Sequence, residues 1–275
     1  MGLPRPPDWL IYLGGVAALV ILAIVNQERA DAPAAPPPMQ ETDAALTAGS
    51  SMKASTVKPL PADSGQAVAG TAFSVSDAGV WLTARHVVGA CRRAAVMVAP
   101  GRGVSAKVFA DRTSDVAVLT TQGGAPPLPL GADRSLRRGL RGFHPGFPQG
   151  GPGEATSRLL GQANLRSSAR GARSQPVLAW AEVGRTDGLK GSLDGLSGAP
   201  VLDRAGRVVG VTIAESPRRG RIYSAPLAAI RAALTTAGQV PAGFARGQTI
   251  NIDNYGRAAD ALRRDLRVAQ VVCLS

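Results

Sequence analysis

The chain has 275 residues, and 45% of them are hydrophobic, which allows a sizeable core and excludes a chain that is disordered throughout. Aromatic residues make up only 4%, against 33 glycines and 21 prolines, a balance that favours turn-rich β structure over a helical bundle. Two cysteines and two histidines are too few for a disulfide scaffold or a multi-histidine metal centre, so we expect neither a metal nor a cofactor.

The formal net charge of +12 comes almost entirely from arginine. The arginines are scattered singly and in pairs and are not interleaved with aromatic residues, so we expect no binding of nucleic acid. A basic surface that attracts anionic envelope polymers or lipids remains compatible with each of the functions considered below.

The first predicted element is an apolar, uncharged segment over residues 9–25. At ~1.5 Å per residue, a helix of this length just crosses the hydrocarbon core of a bilayer. Trp9 and Tyr12 lie at one end, where aromatic rings favour the headgroup layer. We therefore expect a single-pass anchor in a bacterial inner membrane, with residues 1–8 in the cytoplasm and the folded part in the periplasm. The alternative is a cleaved signal peptide, although no small-residue cleavage site follows the segment directly.

Residues 26–65 are rich in alanine, proline, serine and threonine. They keep no apolar period of 2 or 3.6 residues, which predicts a flexible linker. Such a linker would hold the folded part away from the membrane.

From residue 66 onward, short alternating apolar segments are separated by Gly- and Pro-rich turns, a pattern that predicts antiparallel strands. Regularly spaced short strands are typical of β-sandwiches and β-barrels, so the predicted fold class is all-β. Helical spacing occurs at 227–237 and at 254–266. The predicted strands are 66–76, 80–84, 94–98, 104–109, 115–121, one at Pro129, 139–143, 157–165, 177–183, 200–203, 207–213, 221–225 and 267–274.

Three stretches together carry an imidazole, a carboxylate and a hydroxyl: His86 after a strand, Asp115 at the start of another, and Ser197 in a Gly-rich turn. A serine hydroxyl is a weak nucleophile unless an imidazole accepts its proton and a carboxylate holds that imidazole in the right tautomer. The order His, Asp, Ser is that of chymotrypsin; α/β-hydrolases place the histidine after the serine, and subtilisin places the aspartate first.

Two further aspartates compete for the acidic role. Asp111 lies four residues before the predicted strand start and Asp194 is very close to the serine along the chain, so Asp115 is favoured. Glycine at 195 lets the backbone turn so that the N–H groups of Gly195 and Ser197 point together, as a developing oxyanion requires.

Residues 66–237 resemble the trypsin/chymotrypsin-fold serine proteases, and among them the bacterial trypsin-like peptidases that include the high-temperature-requirement periplasmic proteases. The resemblance implies two six-stranded antiparallel β-barrels with the site between them, and hydrolysis of protein or peptide substrates through an acyl-enzyme. It also implies that His86 is the general base, Asp115 its orienting partner and Ser197 the nucleophile. The matching segments are 70–73, 82–88, 110–119, 146–150, 195–200 and 208–211.

Three departures from the family pattern bear on activation and specificity. Leu196 stands where many relatives carry Asp or Asn; since leucine cannot pair with a new amino terminus, we expect no activation by N-terminal clipping. Gly191 leaves no acid at the floor of the specificity pocket, so we expect a preference for a small or apolar side chain. Thr212, Ile213 and Ala214 replace the usual Ser-Trp-Gly strand that pairs with substrate.

Residues 238–275 form a predicted C-terminal extension of a helix and a strand, too short for a peptide-binding PDZ module. Cys91 lies five residues after His86, and Cys273 lies in the last predicted strand. Two cysteines in an exported chain often pair, so we expect a disulfide that ties the extension to the barrel edge beside His86. The alternative is two buried free thiols.

The main prediction is a membrane-anchored serine endopeptidase. The competing hypothesis is a catalytically inactive protease fold that serves as a binding or scaffolding module at the membrane, for which Leu196 and the reduced pocket are the motivation. The two hypotheses differ in whether Ser197 reacts with an active-site-directed probe. Neither predicts an oligomeric state.

Overall fold

The structure is a computed structural model, and it describes residues 51–52, 69–91, 93–132, 136–166, 174–241 and 247–274. The predicted anchor at 9–25, the residues 1–8 before it and nearly all of the predicted linker 26–65 lie outside the described residues. Across the ranges described, no helix is both long enough and apolar enough to span a bilayer.

The first β-barrel consists of six antiparallel strands, which are β2 (Ala69–Ser76), β3 (Val80–Ala84), β4 (Arg93–Ala99), β5 (Arg102–Ala110), β6 (Val116–Thr121) and β13 (Val268–Leu274). They close in the order β13-β2-β3-β6-β5-β4. β2 and β3 form the predicted hairpin, in which Gly79 has a φ of +87° and a Cβ would lie 2.5 Å from the carbonyl oxygen of Thr121. The apolar side chains of these strands fill the barrel, and Phe73, Leu82 and Leu119 are fully buried.

The strand that closes this barrel comes from the far end of the chain. β13 pairs with β2 from Val268 to Val272 and with β4 from Val271 to Leu274. The sequence pattern predicts this strand but places it in an appended extension. The structure makes it the sixth strand of the first barrel, because without it β2 and β4 would both present unpaired edges.

The second β-barrel also has six antiparallel strands, which are β7 (Arg141–Gly146), β8 (Gly153–Arg166), β9 (Ser174–Arg185), β10 (Pro200–Leu202), β11 (Val208–Ser216) and β12 (Arg221–Pro226). They lie in the order β8-β7-β10-β11-β12-β9, and β9 pairs again with β8 to close the barrel. β1 (Ser51–Met52), which falls within the predicted linker, adds to β8 in parallel. The all-β fold class and the two six-stranded antiparallel barrels are therefore confirmed.

Three helices complete the described chain: α1 (Arg85–Val88), α2 (Leu227–Thr236) and α3 (Tyr255–Arg264). The two predicted helices correspond to α2 and α3, whereas α1 is too short for hydrophobic periodicity to detect. Single turns of 3-10 helix lie at Pro148–Gly150 and Pro217–Arg219. The strand predicted at Pro129 is reduced to one bridge, between Leu130 and Val208.

A buried ion pair joins α3 to the second barrel. Nη2 of Arg263 lies 3.1 Å from Oε2 of Glu154, and the two side chains are 7% and 0% exposed. Nη1 of the same arginine donates to the carbonyl oxygens of Gly146 at 3.3 Å and Gly153 at 3.1 Å. Because Arg263 binds both ends of the loop between β7 and β8, the C-terminal helix holds a loop that borders the site described next.

Candidate active site

His86 and Asp115 meet at one end of the first barrel because β3 and β6 are neighbouring strands. Ala84 pairs with Val116, so the residues that follow β3 and those that precede β6 emerge side by side. His86 lies on α1, and its Nδ1 is 2.6 Å from Oδ2 of Asp115. The backbone N–H of His86 donates to Oδ1 at 2.9 Å. The carboxylate therefore fixes the imidazole and leaves Nε2 on the far side of the ring.

Asp115 is itself held from both barrels. Its backbone N–H donates to Oε1 of Gln175, a residue of β9, at 2.7 Å, and its carbonyl accepts the N–H of Arg85 at 3.2 Å. Burial raises the pKa of the Asp115 carboxyl, but the hydrogen bonds and charge of His86, with a smaller effect of Arg85, outweigh burial and hold this pKa below its usual value. The ionised carboxylate is the state that keeps the imidazole proton on Nδ1.

The two competing carboxylates do not contact His86 in the part of the chain that the structure describes. Asp111 accepts the backbone N–H groups of Thr113 at 3.2 Å and Ser114 at 2.9 Å, so it caps the turn before β6. Asp194 lies in the turn before Ser197. Among the described residues, no three His, Cys, Asp or Glu side chains come together as a metal site requires.

Ser197 lies in a tight turn that packs against the end of β3. Gly198 has a φ of +90°, and a Cβ there would lie 2.0 Å from the carbonyl oxygen of Thr71 and 3.0 Å from the backbone nitrogen of Ala84. Only glycine permits this approach, which brings the serine turn and α1 to the same end of the first barrel. Across the described ranges, Oγ of Ser197 has no hydrogen bond to His86. In enzymes without substrate, this bond is often long and tightens when substrate binds.

The turn over residues 195–199 leaves the N–H groups of Gly195 and Ser197 without an acceptor among the described residues. Gly195 has a φ of +93°, and a Cβ there would lie 2.3 Å from the carbonyl oxygen of Phe147, so this position also requires glycine. Two N–H groups left free by one turn are available as donors to an oxyanion. The other N–H groups of the turn donate within the protein, those of Leu196 to Leu193 (2.9 Å), Gly198 to Thr212 (2.7 Å) and Ala199 to Leu196 (2.9 Å).

Residues 191–199 and 212–215 flank the site and are joined by hydrogen bonds at both ends. At the end near Ser197, the N–H of Thr212 donates to the carbonyl of Ala199 at 2.9 Å. At the other end, Oε1 of Glu215 accepts the backbone N–H of Leu193 at 2.8 Å and the hydroxyl of Ser192. Burial, with the nearby charge of Asp194, raises the pKa of the Glu215 carboxyl above its usual value.

The predicted substrate-binding residues Thr212, Ile213 and Ala214 lie where one edge of β11 becomes open. β12 pairs with β11 as far as Ser216, whereas the pairing of β10 with β11 ends at Val211. In the described structure, no strand continues on the β10 side beside residues 213 and 214. An extended peptide adds to an edge of this kind through backbone hydrogen bonds.

Gly191, the position predicted at the floor of the specificity pocket, has a φ of +73° and no atom within 4 Å of where a Cβ would lie. Its carbonyl oxygen accepts Nη1 of Arg185 at 2.8 Å. The space beside Gly191 is therefore open, and this position contributes no acidic side chain to it. Gly191 is followed in the chain by Ser192 and Leu193, which donate hydrogen bonds to Glu215, and then by the turn that carries Ser197.

Leu196, which precedes Ser197, and His144 of β7 are both buried in the second barrel. Leu196 is 1% exposed and packs in a cluster that includes Trp180, so this departure from the family pattern anchors the serine turn by apolar contact. His144 is fully buried, with Nδ1 3.0 Å from Oγ1 of Thr212 and Nε2 2.7 Å from Oγ of Ser157. Burial lowers the pKa of His144 to about 3, so the ring is neutral. Its hydrogen bond through Nδ1 holds the side chain of Thr212.

Cys91 and Cys273 form the predicted disulfide. Cys91 follows α1, and Cys273 lies in β13 beside Ala94 of β4. The bond therefore ties the last strand of the first barrel to the segment that carries His86.

Four polar residues border the site although no catalytic motif contains them: Thr71, Gln149, Gln175 and Glu215. Each reaches the site through contacts between segments far apart in sequence. Thr71 and Gln149 lie in segments that match the family pattern, 70–73 and 146–150, and nothing in those segments shows what the two side chains bind.

Known proteins are similar to this chain in sequence. The profile of the trypsin-like peptidase domain matches residues 70–211, just over half of the chain. The protein named serine protease HhoA in Synechocystis sp. is 28% identical in an alignment of 191 residues, and the match covers 66% of this chain and 47% of HhoA. The chain thus spans about half the length of that relative. The resemblance predicted from the sequence is confirmed, and with it the enzyme class of serine endopeptidases is supported.

Solved structures share the fold. The Rv3671c protease of M. tuberculosis, in an inactive form, is 22% identical with a TM-score of 0.50, covering 62% of this chain and 83% of that chain. A variant of the HtrA-type protease AlgW with decapeptide is 23% identical with a TM-score of 0.50, covering 62% of this chain and 52% of that chain. At these identities the likeness concerns the fold alone.

Proposed function

This chain belongs to the trypsin-like peptidase domain family, and we propose that it hydrolyses peptide bonds as a serine endopeptidase. The observation that carries the proposal is the 2.6 Å contact between Nδ1 of His86 and Asp115, formed at the same end of the barrel as the turn with two unpaired N–H groups. In this proposal the first barrel supplies His86 as the general base and Asp115 as the orienting acid, and the second barrel supplies Ser197 as the nucleophile and the oxyanion donors.

In the proposed reaction, Oγ of Ser197 attacks the scissile carbonyl carbon while its proton passes to Nε2 of His86. The carbonyl oxygen becomes an oxyanion that accepts the N–H groups of Gly195 and Ser197. As the carbon–nitrogen bond breaks, His86 returns the proton to the leaving amine, and an acyl-enzyme remains. Water then attacks the ester, again with His86 as the base, and releases the acid and free Ser197. Asp115 stays ionised and holds the imidazole throughout.

The substrate class follows from the open edge of β11. An extended peptide that pairs with Ile213 and Ala214 places its scissile bond beside Ser197, and its side chain enters the space next to Gly191. The absence of an acid at Gly191 favours a small or apolar side chain there.

The anchored location is a further part of the proposal. The apolar segment at 9–25 supports a single-pass anchor in a bacterial inner membrane, and the disulfide supports a periplasmic position for the domain, because such bonds persist in oxidising compartments. Fractionation of cells that express the full chain tests this. We expect it in the membrane fraction and a variant without residues 1–25 in the soluble fraction; equal distribution of both contradicts the proposal.

Cleavage of a peptide library tests the activity. The full chain should cut internal peptide bonds and give a consistent residue before the cut, whereas Ser197→Ala should give no products above background. Identical product patterns from both proteins would show that a contaminant or another site is responsible.

A second candidate is an inactive protease fold that binds peptides at the membrane. One observation favours it: the hydroxyl of Ser197 has no hydrogen bond to His86 in the described structure. This candidate predicts peptide binding at the open edge of β11 without cleavage, so the same library separates the two functions.

A further inference from the structure

The N–H groups of Gly195 and Ser197 belong to peptide units whose carbonyl oxygens, those of Asp194 and Leu196, each accept a backbone N–H. The carbonyl of Asp194 accepts the backbone N–H of Gln149. Because a trans peptide holds its N–H opposite to its C=O, the N–H of Gly195 points away from Gln149. The peptide unit between the two donors, whose carbonyl belongs to Gly195, is held by a side chain: the hydroxyl of Thr71 donates to it at 2.8 Å.

Thr71 is a residue of β2 in the first barrel and is 0% exposed. Its hydroxyl accepts the backbone N–H of Phe147 at 3.1 Å, so the geometry commits the single hydroxyl proton to Gly195. Its own backbone N–H donates to the carbonyl of Ser197 at 2.8 Å. One buried residue thus binds the carbonyl oxygens of both residues whose N–H groups are unpaired.

Local backbone preference does not hold the peptide unit after Gly195. Glycine at a φ of +93° is free of the steric limits that confine other residues, and the unit can turn by changes at Gly195 and at the residue after it. Among the described residues, the Thr71 hydroxyl is the one side-chain group bonded to this carbonyl. Without it, a part-buried carbonyl loses its donor and the turn gains freedom at the point between the two oxyanion donors.

We propose that the Thr71 hydroxyl is the positioning group of the oxyanion site. It does not touch substrate; it holds the turn so that the N–H groups of Gly195 and Ser197 converge on one point. The inference rests on the proposed function, since it concerns the oxyanion formed during peptide hydrolysis. The first barrel thus helps to position the oxyanion donors, in addition to carrying His86 and Asp115.

The test compares Thr71→Val, which keeps the shape and removes the hydroxyl, with Thr71→Ser, which keeps the hydroxyl. Thr71→Val should lower kcat by about 10- to 100-fold and leave KM within about threefold, because an oxyanion contact acts mainly in the transition state. Thr71→Ser should restore most of kcat. A peptide aldehyde, whose adduct with Ser197 places an oxygen in the oxyanion site, should lose affinity in parallel with kcat, whereas a non-covalent product peptide should not.

Ser74→Ala is the matched control. Ser74 is a buried residue of the same strand, and its hydroxyl donates to the carbonyl of Ala125 at 2.8 Å, outside the site. If Ser74→Ala lowers kcat as much as Thr71→Val does, the effect is general loosening of β2 and the inference is overturned. Should Thr71→Val fail to fold, Thr71→Ala makes the same comparison with a smaller side chain.

The outcomes for the inference and for the proposed function are distinct. If the unmodified chain turns over peptides and Thr71→Val matches it in kcat and in aldehyde affinity, the inference fails and the proposed function stands. If the unmodified chain neither turns over peptides nor binds the aldehyde, the proposed function fails and the inference fails with it.

Discussion

Cys91 and Cys273 are 182 positions apart in sequence, yet their Cα atoms lie 5.2 Å apart and their sulfur atoms are bonded. The bond joins the residue that follows α1 to the strand that closes the first barrel. β13 is thereby fixed next to the segment that carries His86 and forms part of the structure that positions the site.

Loss of this disulfide should destabilise the protein strongly. The chain-entropy model gives an upper value of about 5 kcal/mol for a closed loop of this length. We expect Cys91→Ser/Cys273→Ser to unfold at a lower urea concentration than the oxidised chain, and the reduced chain to behave like the double variant. Equal midpoints for the oxidised chain and the double variant would contradict this, as would alkylation of both thiols in denaturant without reductant.

The ion pair between Arg263 and Glu154 should be a second point of high sensitivity. Removing one partner of a buried pair typically costs about 3–5 kcal/mol, because the remaining charge stays buried. Arg263→Met should therefore lower the free energy of unfolding by about that amount, and Arg263→Met/Glu154→Gln by less. Arg257 is an exposed residue of the same helix, and Arg257→Met should change stability by no more than about 0.5 kcal/mol. Similar losses for both single variants would refute the assignment.

Buried His144 should make folding stability depend on pH. Its pKa is about 3 in the folded chain, against 6.5 for an unperturbed histidine, so below pH 6.5 the unfolded state binds a proton that the folded state does not. Stability is therefore lost as pH falls from 6.5 toward 3, by about 2 kcal/mol between pH 8 and pH 5 from this residue. Urea unfolding at a series of pH values should show a smaller loss for His144→Gln than for the unmodified chain. The same pH slope in both proteins would show that His144 does not contribute.

The acidic role should belong to Asp115 and not to Asp111. Asp115→Asn removes the charge that orients His86 and should lower kcat by about 10⁴-fold, as expected when the imidazole takes the wrong tautomer. Asp111→Asn weakens the cap on the turn before β6, and should reduce stability by about 1 kcal/mol while kcat stays within a few-fold. Steady-state kinetics on both variants check this; the reverse ranking would reassign the acid.

Most strands and helices can be predicted from the sequence because local patterns of apolar residues determine them. Alternation of apolar residues locates β3, β11 and β12 to within a few residues, and helical spacing locates α2 and α3. The pairing of β13 with β2 and β4 has no local signal, because it depends on two strand edges roughly 200 positions away. The disulfide was predictable because the sequence predicts an exported chain, and two cysteines in such a chain often pair.

The candidate site divides in the same way. His86, Asp115 and Ser197 are each embedded in a short motif, and their order along the chain discriminates between hydrolase folds. Gln175 and Glu215 are isolated polar residues, and Gln149 stands in a matched segment that does not show what its side chain binds. The contact of Gln175 with Asp115 arises only when the two barrels meet. The contacts of Gln149 and Glu215 with residues 190–193 arise only when loops and strands of the second barrel pack together. In the sequence, Leu196 is a departure from the family pattern. Its burial in the cluster that contains Trp180 explains why leucine stands at this position.

Covalent labelling with a fluorophosphonate probe, followed by mass spectrometry of the peptides, tests the central claim most directly. The probe reacts only with a serine whose hydroxyl loses its proton to a neighbouring base. The oxidised full chain should carry one adduct, on Ser197, and Ser197→Ala should carry none. A folded, oxidised chain that gains no adduct, or gains it on another serine, would contradict the account.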